Sequence, residues 1–265
     1  MIAKDPQKII GLPTDRSERT RPPIREPYAY AELAITTNFS FLRGASHPQE
    51  FAAAATQADL AAIGIADRNT LAGVVRAYDA FEKIEGDRPR LLVGARLVFA
   101  DGTPDILAYP TDRAAYGRLC RLLTTGKHRA KKGECILSFD DLLLWREGLL
   151  IAVIPPEELD KSNWERHLGK LAEDQGVERV WLAASMLRRG DDDSRLRKLR
   201  GIARNHAVPV LATNDVLYHT RERRELQDVL TCMSVTLPNV ASTRLRDLGA
   251  TGFLKAMPQV SPIWS

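Results

Sequence analysis

The chain has 265 residues, of which 44% are hydrophobic and 27% charged, enough apolar side chain to build a full core without staples. Its three cysteines, Cys120, Cys135 and Cys232, lie far apart without a CxxC pair, which argues against a zinc ribbon or disulfide framework and fits a reducing cytoplasm. A net charge of +4 permits contact with nucleic acid without identifying it, and neither a signal-peptide core nor a membrane span is expected.

Residues 1–27 carry Pro6, Pro13, Pro22, Pro23 and Pro27 among scattered charges and read as a mobile arm. From Tyr28 strand and helix signals alternate. Ala31–Thr36 is a short apolar run. Ser46-His-Pro-Gln49 reads as a helix start with Ser46 as cap and Gln49 completing a capping box, and the helix continues through the alanine-rich 51–58. A strand over 60–66 precedes a helix over 71–84. Leu91–Phe99 reads as a strand that pairs with Ile106–Tyr109 through the Asp101-Gly102 turn. Helices follow at about 112–125 and 138–146. Strands over 149–154 and 179–184 flank a helix at about 161–175. A helix at about 193–206 leads to a strand over 208–213, and a helix over 221–233 closes the readable part.

Apolar strands, each followed by a helix, imply a parallel sheet covered on its outer side. Six or seven such units point to an α/β barrel, with an open doubly wound parallel sheet as the alternative. In such barrels chemistry sits at the C-terminal strand ends, here Thr36, Asp67, Arg96 and Asp215.

Several segments, above all NFSFLRGASHP at 38–48 and ATNDVLYH at 212–219, resemble the N-terminal PHP domain (polymerase and histidinol phosphatase) of bacterial error-prone C-family DNA polymerases. The resemblance covers about 28–233 and implies a PHP-type distorted TIM-like (β/α)7 barrel, followed by a divergent tail over 234–265. A functioning site of this family binds up to three divalent metals, such as zinc or manganese, and cleaves phosphoesters. The resemblance places the first His-x-His motif on Ala34 and Thr36. The Asp-His motif falls on Asp67 and Arg68, the Glu after strand three on Arg96, and the late Asp-x-His on Asp215 and Leu217.

Alanine and leucine have no lone pair to donate, and an arginine that stays protonated cannot ligate a metal. An arginine also repels it: at about 4 Å and an effective dielectric near 20, unit charges interact by roughly 4 kcal/mol. The expectation is therefore a vestigial site without metal or cofactor. In it Arg96, with Arg68, fills the vacated centre and pairs with Asp67 or Asp215 through a guanidinium fork. Capping of the following helices is the plainer reading of both acids. Asp67, Asp215 and His219 are the weak metal candidates, and His128, His167 and His206 read as surface residues.

The run 127–132 is the densest basic patch. Lys127, Arg129, Lys131 and Lys132 are candidate nucleic-acid contacts, against the plainer reading of a solvated loop. The chain ends at Ser265, which leads us to expect a truncated or frame-shifted product without a polymerase body. The expected function is a non-catalytic module that packs against such a body in damage-tolerant synthesis. Expected partners are that body, other damage-tolerance proteins and DNA, with no membrane. The alternatives are a residual metal-dependent phosphoesterase or 3'-5' exonuclease, and a free nucleic-acid-binding module.

Overall fold

A computed structural model describes residues 30–160, 163–175, 179–186 and 190–236. The arm expected over 1–27 and nearly all of the tail expected over 234–265 lie outside the described residues. Seven strands form one sheet in sequential order: β1 (Ala31–Ile35), β2 (Ala62–Arg68), β3 (Arg90–Leu97), β4 (Ile106–Pro110), β5 (Leu149–Val153), β6 (Val180–Ala184) and β7 (Val210–Ala212). The helices between them are α1 (Pro48–Gln57), α2 (Ala72–Glu82), α3 (Arg113–His128), α4 (Phe139–Trp145), α5 (Trp164–Gln175) and α6 (Asp192–Asn205). A 3-10 turn (Arg221–Arg223) and α7 (Arg224–Thr236) follow β7.

Sequential order without reversal excludes the open doubly wound alternative, which needs a switch point where strand order turns back. The expected all-parallel sheet is corrected at one strand. β4 runs antiparallel to both β3 and β5, because the short connection after β3 makes a hairpin where the other strand-to-strand connections are helical crossovers. The remaining neighbours pair in parallel.

The two faces of the sheet differ in side-chain size. Ile35, Ile63 and Ile65 point outward and pack with Phe51, Ala52 and Ala55 of α1 and Ala77 and Phe81 of α2. Burying a side chain such as Phe51 contributes roughly 1.5–3 kcal/mol. The alternate positions point inward and are small: Ala34, Ala66, Ala152 and Ala183 surround Leu107. Tyr109 of β4 occupies this interior and donates its hydroxyl to the carbonyl of Leu33. A Cβ on Gly64 or Gly94 would collide with the Tyr109 ring, so β2 and β3 have glycine where that ring lies.

Local signals account for the starts of α1, α3 and α4. α1 is capped by His47, not Ser46, and Glu50, not Gln49, accepts a hydrogen bond from the His47 amide at 2.7 Å. Ser46 has a tertiary partner instead, which overrides the local capping pattern. Asp112 caps α3 by accepting from the Ala115 amide at 2.7 Å. In α4 the Asp141 carboxylate accepts from the Ser138 amide at 2.9 Å.

The chain leaving β7 returns to β1. Val216 donates to Ala34 O at 2.8 Å and its own carbonyl accepts from the Thr36 amide at 2.9 Å. Beside this seam lies Glu32, fully buried. Its carboxylate accepts from the Tyr30 hydroxyl at 2.8 Å and the Ala34 amide at 2.9 Å. It also accepts from the Thr213 hydroxyl at 2.5 Å and from Asn214 through both its amide and Nδ2, at 3.0 and 2.9 Å.

Replacing Glu32 by Ala leaves these buried donors without an acceptor. The expected loss is about 3–5 kcal/mol by urea denaturation. Gly94→Ala is expected to cost about 1–3 kcal/mol by the same measurement through collision with the Tyr109 ring, and a second change, Tyr109→Leu, recovers part of it.

Candidate functional site

Besides Glu32 of β1, the inward face carries charge where β2 and β3 end. Arg68 and Arg96 are register partners on these parallel strands. Asn69, with φ of 49°, extends the pairing past them: its amide donates to Arg96 O at 2.9 Å. Its side chain exchanges hydrogen bonds with the Val98 backbone at 3.0 and 2.9 Å. Two guanidinium groups are thereby fixed side by side, an arrangement that requires counter-charge.

Asp105 and Asp215 supply it. Arg96 Nε donates to Asp105 Oδ2 at 2.8 Å and Nη1 to Asp215 Oδ1 at 2.7 Å, with the Arg96 side chain only 7% exposed. Arg68 Nη1 lies 3.6 Å from the same Asp105 oxygen. Burial alone would lower the Arg96 pKa, and Asp215 and then Asp105 reverse this, leaving it raised. Burial alone would raise that of Asp105, and Arg96 and then Arg68 hold it below the usual carboxylate range. Asp215 adopts φ of 50°, a left-handed backbone that aspartate tolerates better than most residues.

The expected Arg96–Asp215 pair is therefore present, but the second acid is Asp105, not Asp67. Asp67, alternate to Arg68 along β2, turns away from the interior. Its carboxylate accepts from the Thr37 amide at 2.7 Å, the Thr37 hydroxyl at 2.8 Å and the Ser40 hydroxyl at 2.7 Å. Burial pushes the Asp67 carboxyl up, against the pull of the Ser40 and Thr37 hydrogen bonds. It caps no helix; it fastens the loop after β1. Asp215 likewise serves Arg96 and not a helix start.

Ala34 on β1 and Thr36 just after it are buried, and neither side chain contributes charge. Leu217 packs in a small cluster with Ala45, Tyr218 and Leu230. His219 does not join the arginines. Its Nδ1 lies 2.8 Å from Ser46 Oγ and 3.8 Å from Glu50, which also pairs with Arg223. Burial, ahead of the opposing pull of Glu50, lowers the His219 pKa. Ser46 and Glu50 approach the same ring nitrogen, so this is no nucleophile–base–acid relay, which needs a different nitrogen for each partner. Of the histidines expected at the surface, His167 is half-buried with its ring 4.7 Å from that of Phe139.

Among the described residues no group of three or more His, Cys, Asp or Glu side chains could hold a metal ion. The side chains at the strand ends do not suit a dication: the two inward acids already share a guanidinium, and a second arginine stands beside them. A cleft of about 420 Å³ opens at the opposite end of the barrel, where Arg146 approaches Asp174 at 3.8 Å, away from these groups.

In the basic run, Lys127, Lys131 and Lys132 are exposed, while Arg129 is paired with Asp141 at 2.6 Å. The loop following α3 is attached to the chain just after β3: Ala100 N donates to Leu137 O at 2.9 Å and Phe139 N to Asp101 Oδ2 at 2.7 Å. This attachment puts the loop at the barrel end that also carries Arg68 and Arg96.

A family model, the PHP domain, matches residues 32–173. The chain belongs to the PHP domain family. Similar curated proteins are error-prone DNA polymerases. That of Bradyrhizobium sp. (strain ORS 278) is 54% identical over 78% of this chain and 18% of its own length. Those of Rhodopseudomonas palustris (strain BisB5) and Brucella abortus are 56% and 50% identical over 77% and 85% of this chain. The chain spans about a fifth of the length of these relatives. A solved structure described as a candidate metal-dependent phosphoesterase from Bifidobacterium adolescentis has a TM-score of 0.54 at 16% identity and covers 72% of this chain and 88% of its own. An amidohydrolase from Chromobacterium violaceum has a TM-score of 0.50 at 15% identity over 71% and 87% of the two chains. At these identities the two structures speak for the distorted barrel of the PHP fold.

Asp105 was missing from the sequence reading, although its signal was present. The hairpin it foresaw pairs Arg96 with Leu107, which makes Asp105 the diagonal neighbour of Arg96 across the strands. Glu32 carried no comparable signal, because its partners Thr213 and Asn214 are remote in sequence.

Arg96→Met strands two acids and is expected to cost about 3–5 kcal/mol near pH 7 by urea denaturation. The folded-state pKa of Asp105 is depressed, so its contribution is present above the ordinary aspartate value, about 3.9, and disappears as pH falls through the folded value. The difference between variant and wild type should therefore hold down to about pH 4 and narrow as pH is lowered below it. His219 also has a depressed folded pKa, so the unfolded chain takes up its proton first. Stability should decline as pH drops below about 6.5, and His219→Gln should remove that component of the slope.

Proposed function

We propose that this chain is a PHP module of the error-prone DNA polymerase lineage that contributes no phosphoesterase chemistry and serves as a structural partner of a polymerase body. The observation that carries this reading is the Arg96 guanidinium held between Asp105 and Asp215 at the C-terminal strand ends. Hydrolysis by metal requires an open coordination position, a polarised phosphoryl oxygen and an activated water. A protonated guanidinium supplies neither the coordination position nor the hydroxide, and it uses the carboxylates that a cation would need. Identity near 50% with error-prone DNA polymerases over most of the chain supports the lineage.

On this reading Ala34, Thr36, Arg68, Arg96 and Leu217 stand where the family's metal ligands would stand, and the metal site is vestigial. The inward alanines, Tyr109 and the Glu32 seam make a rigid barrel without cations. A polymerase body would pack against it during damage-tolerant synthesis, with DNA as the substrate of the assembly and not of this module. No helix among the described residues is long and apolar enough to cross a membrane.

Purified chain, loaded with zinc or manganese and then desalted, is expected to retain well under one metal per chain by elemental analysis. It should also release no nucleotide from single-stranded or primed DNA. Stoichiometric retained metal with 3'-5' degradation, abolished in Asp215→Asn, would establish the exonuclease reading instead.

A further inference from the structure

We propose that the C-terminal end of the barrel is an anion site in which the Arg68 guanidinium receives a phosphate group, carried either by free phosphate or by a DNA backbone. The inference does not depend on whether a polymerase body is present, and it goes beyond a structural role.

The argument begins with unequal treatment of two adjacent arginines. Arg96 donates to two carboxylates at 2.8 and 2.7 Å. Among the described residues, the Arg68 guanidinium donates no hydrogen bond. Its approach to Asp105 is 3.6 Å, beyond hydrogen-bonding distance, and it is directed at an oxygen already occupied by Arg96. The Arg68 backbone amide donates to Ser40 Oγ at 2.9 Å. The Arg68 guanidinium therefore keeps donors that no protein acceptor uses. Its side chain remains 23% exposed, so a solute can reach it.

The surroundings are consistent with an anion and not with a second cation. Burial and then the neighbouring Arg43 draw the Arg68 pKa down to about 10, and Arg96 acts in the same sense. Asp105 and Asp215 oppose this, yet both are committed to Arg96 by hydrogen bonds. An incoming anion would thus meet Arg68 under the added positive influence of Arg43 and Arg96. The planar fork of unused N–H donors suits the oxygens of a phosphate. The exposed Lys127, in the last turn of α3, and Lys131 and Lys132, in the loop that follows, lie toward this same end, so a strand contacting Arg68 has further cations nearby.

The test uses the full chain with two probes. Inorganic phosphate is titrated calorimetrically against sodium chloride of equal ionic strength. A fluorescein-labelled oligodeoxythymidylate is titrated by anisotropy over a salt series. Arg68→Gln is expected to weaken the bound probe by roughly tenfold or more, as loss of a charge-assisted hydrogen bond requires. For the oligonucleotide the salt slope should fall by about one. Binding of phosphate identifies a compact phosphate site, and binding of the oligonucleotide alone identifies a backbone contact; either supports the proposal. Lys127→Ser/Lys131→Ser/Lys132→Ser should weaken only the oligonucleotide.

Should Arg68→Gln fail to fold by circular dichroism, the wild-type chain still decides. Phosphate or oligonucleotide should protect Arg68 from phenylglyoxal, read by peptide mass spectrometry. Binding of neither probe, equal affinity in wild type and folded Arg68→Gln, or no protection of Arg68 overturns the inference. None of these results alters the metal and nuclease outcomes that test the structural reading.

Discussion

The barrel depends on a buried carboxylate. Glu32 of β1 gathers the hydroxyl of Thr213 and the backbone and side-chain amides of Asn214, and so fixes the chain leaving β7 against the first strand. In a low-dielectric interior a charged acceptor with several donors is a strong positional constraint, and each donor would be costly without it. The residue next in sequence is Asp215, and the one after it, Val216, bonds to both sides of Ile35 through Ala34 and Thr36. The carboxylate that holds Arg96 is therefore positioned by the same seam that joins the two ends of the sheet.

The interior is built around size as well as charge. Alanines and two glycines leave the space that Tyr109 fills, and the aliphatic side chains lie mainly on the outer face beneath the helices. Such a packed middle leaves chemistry to the strand ends, where Arg68 and Arg96 are held in register and Asn69 prolongs their strands. The two arginines differ in function because they differ in partners. Arg96 is neutralised by two acids and acts as a fixed internal tie. Arg68 shares one of those acids at longer range and presents its guanidinium toward solvent.

Much of this was legible in the chain itself. Alternating strand and helix signals located the described elements to within a few residues, since apolar periodicity and turn residues act locally. The Asp101-Gly102 turn revealed the β3–β4 hairpin. The resemblance marked Ala34, Thr36, Arg68, Arg96, Asp215 and Leu217 as positions to inspect. What failed were readings in which local logic met a distant partner. Ser46 fits the rule for a helix cap, but its hydroxyl is taken by His219, far along the chain. Asp67 stands at a strand end as an active-site acid would, but Thr37 and Ser40 claim it on the other side of the sheet.

The sequence by itself determined the family and the order of elements, because these follow from residue type and from spacings along one dimension. Only the tertiary structure decided which acids face which arginines, that β4 is antiparallel to both neighbours, and that Glu32 joins the sheet's two ends. The physical reason is that side-chain direction alternates along a strand and hydrogen bonds saturate. Which face a carboxylate takes, and which donor reaches it first, is settled where distant segments meet.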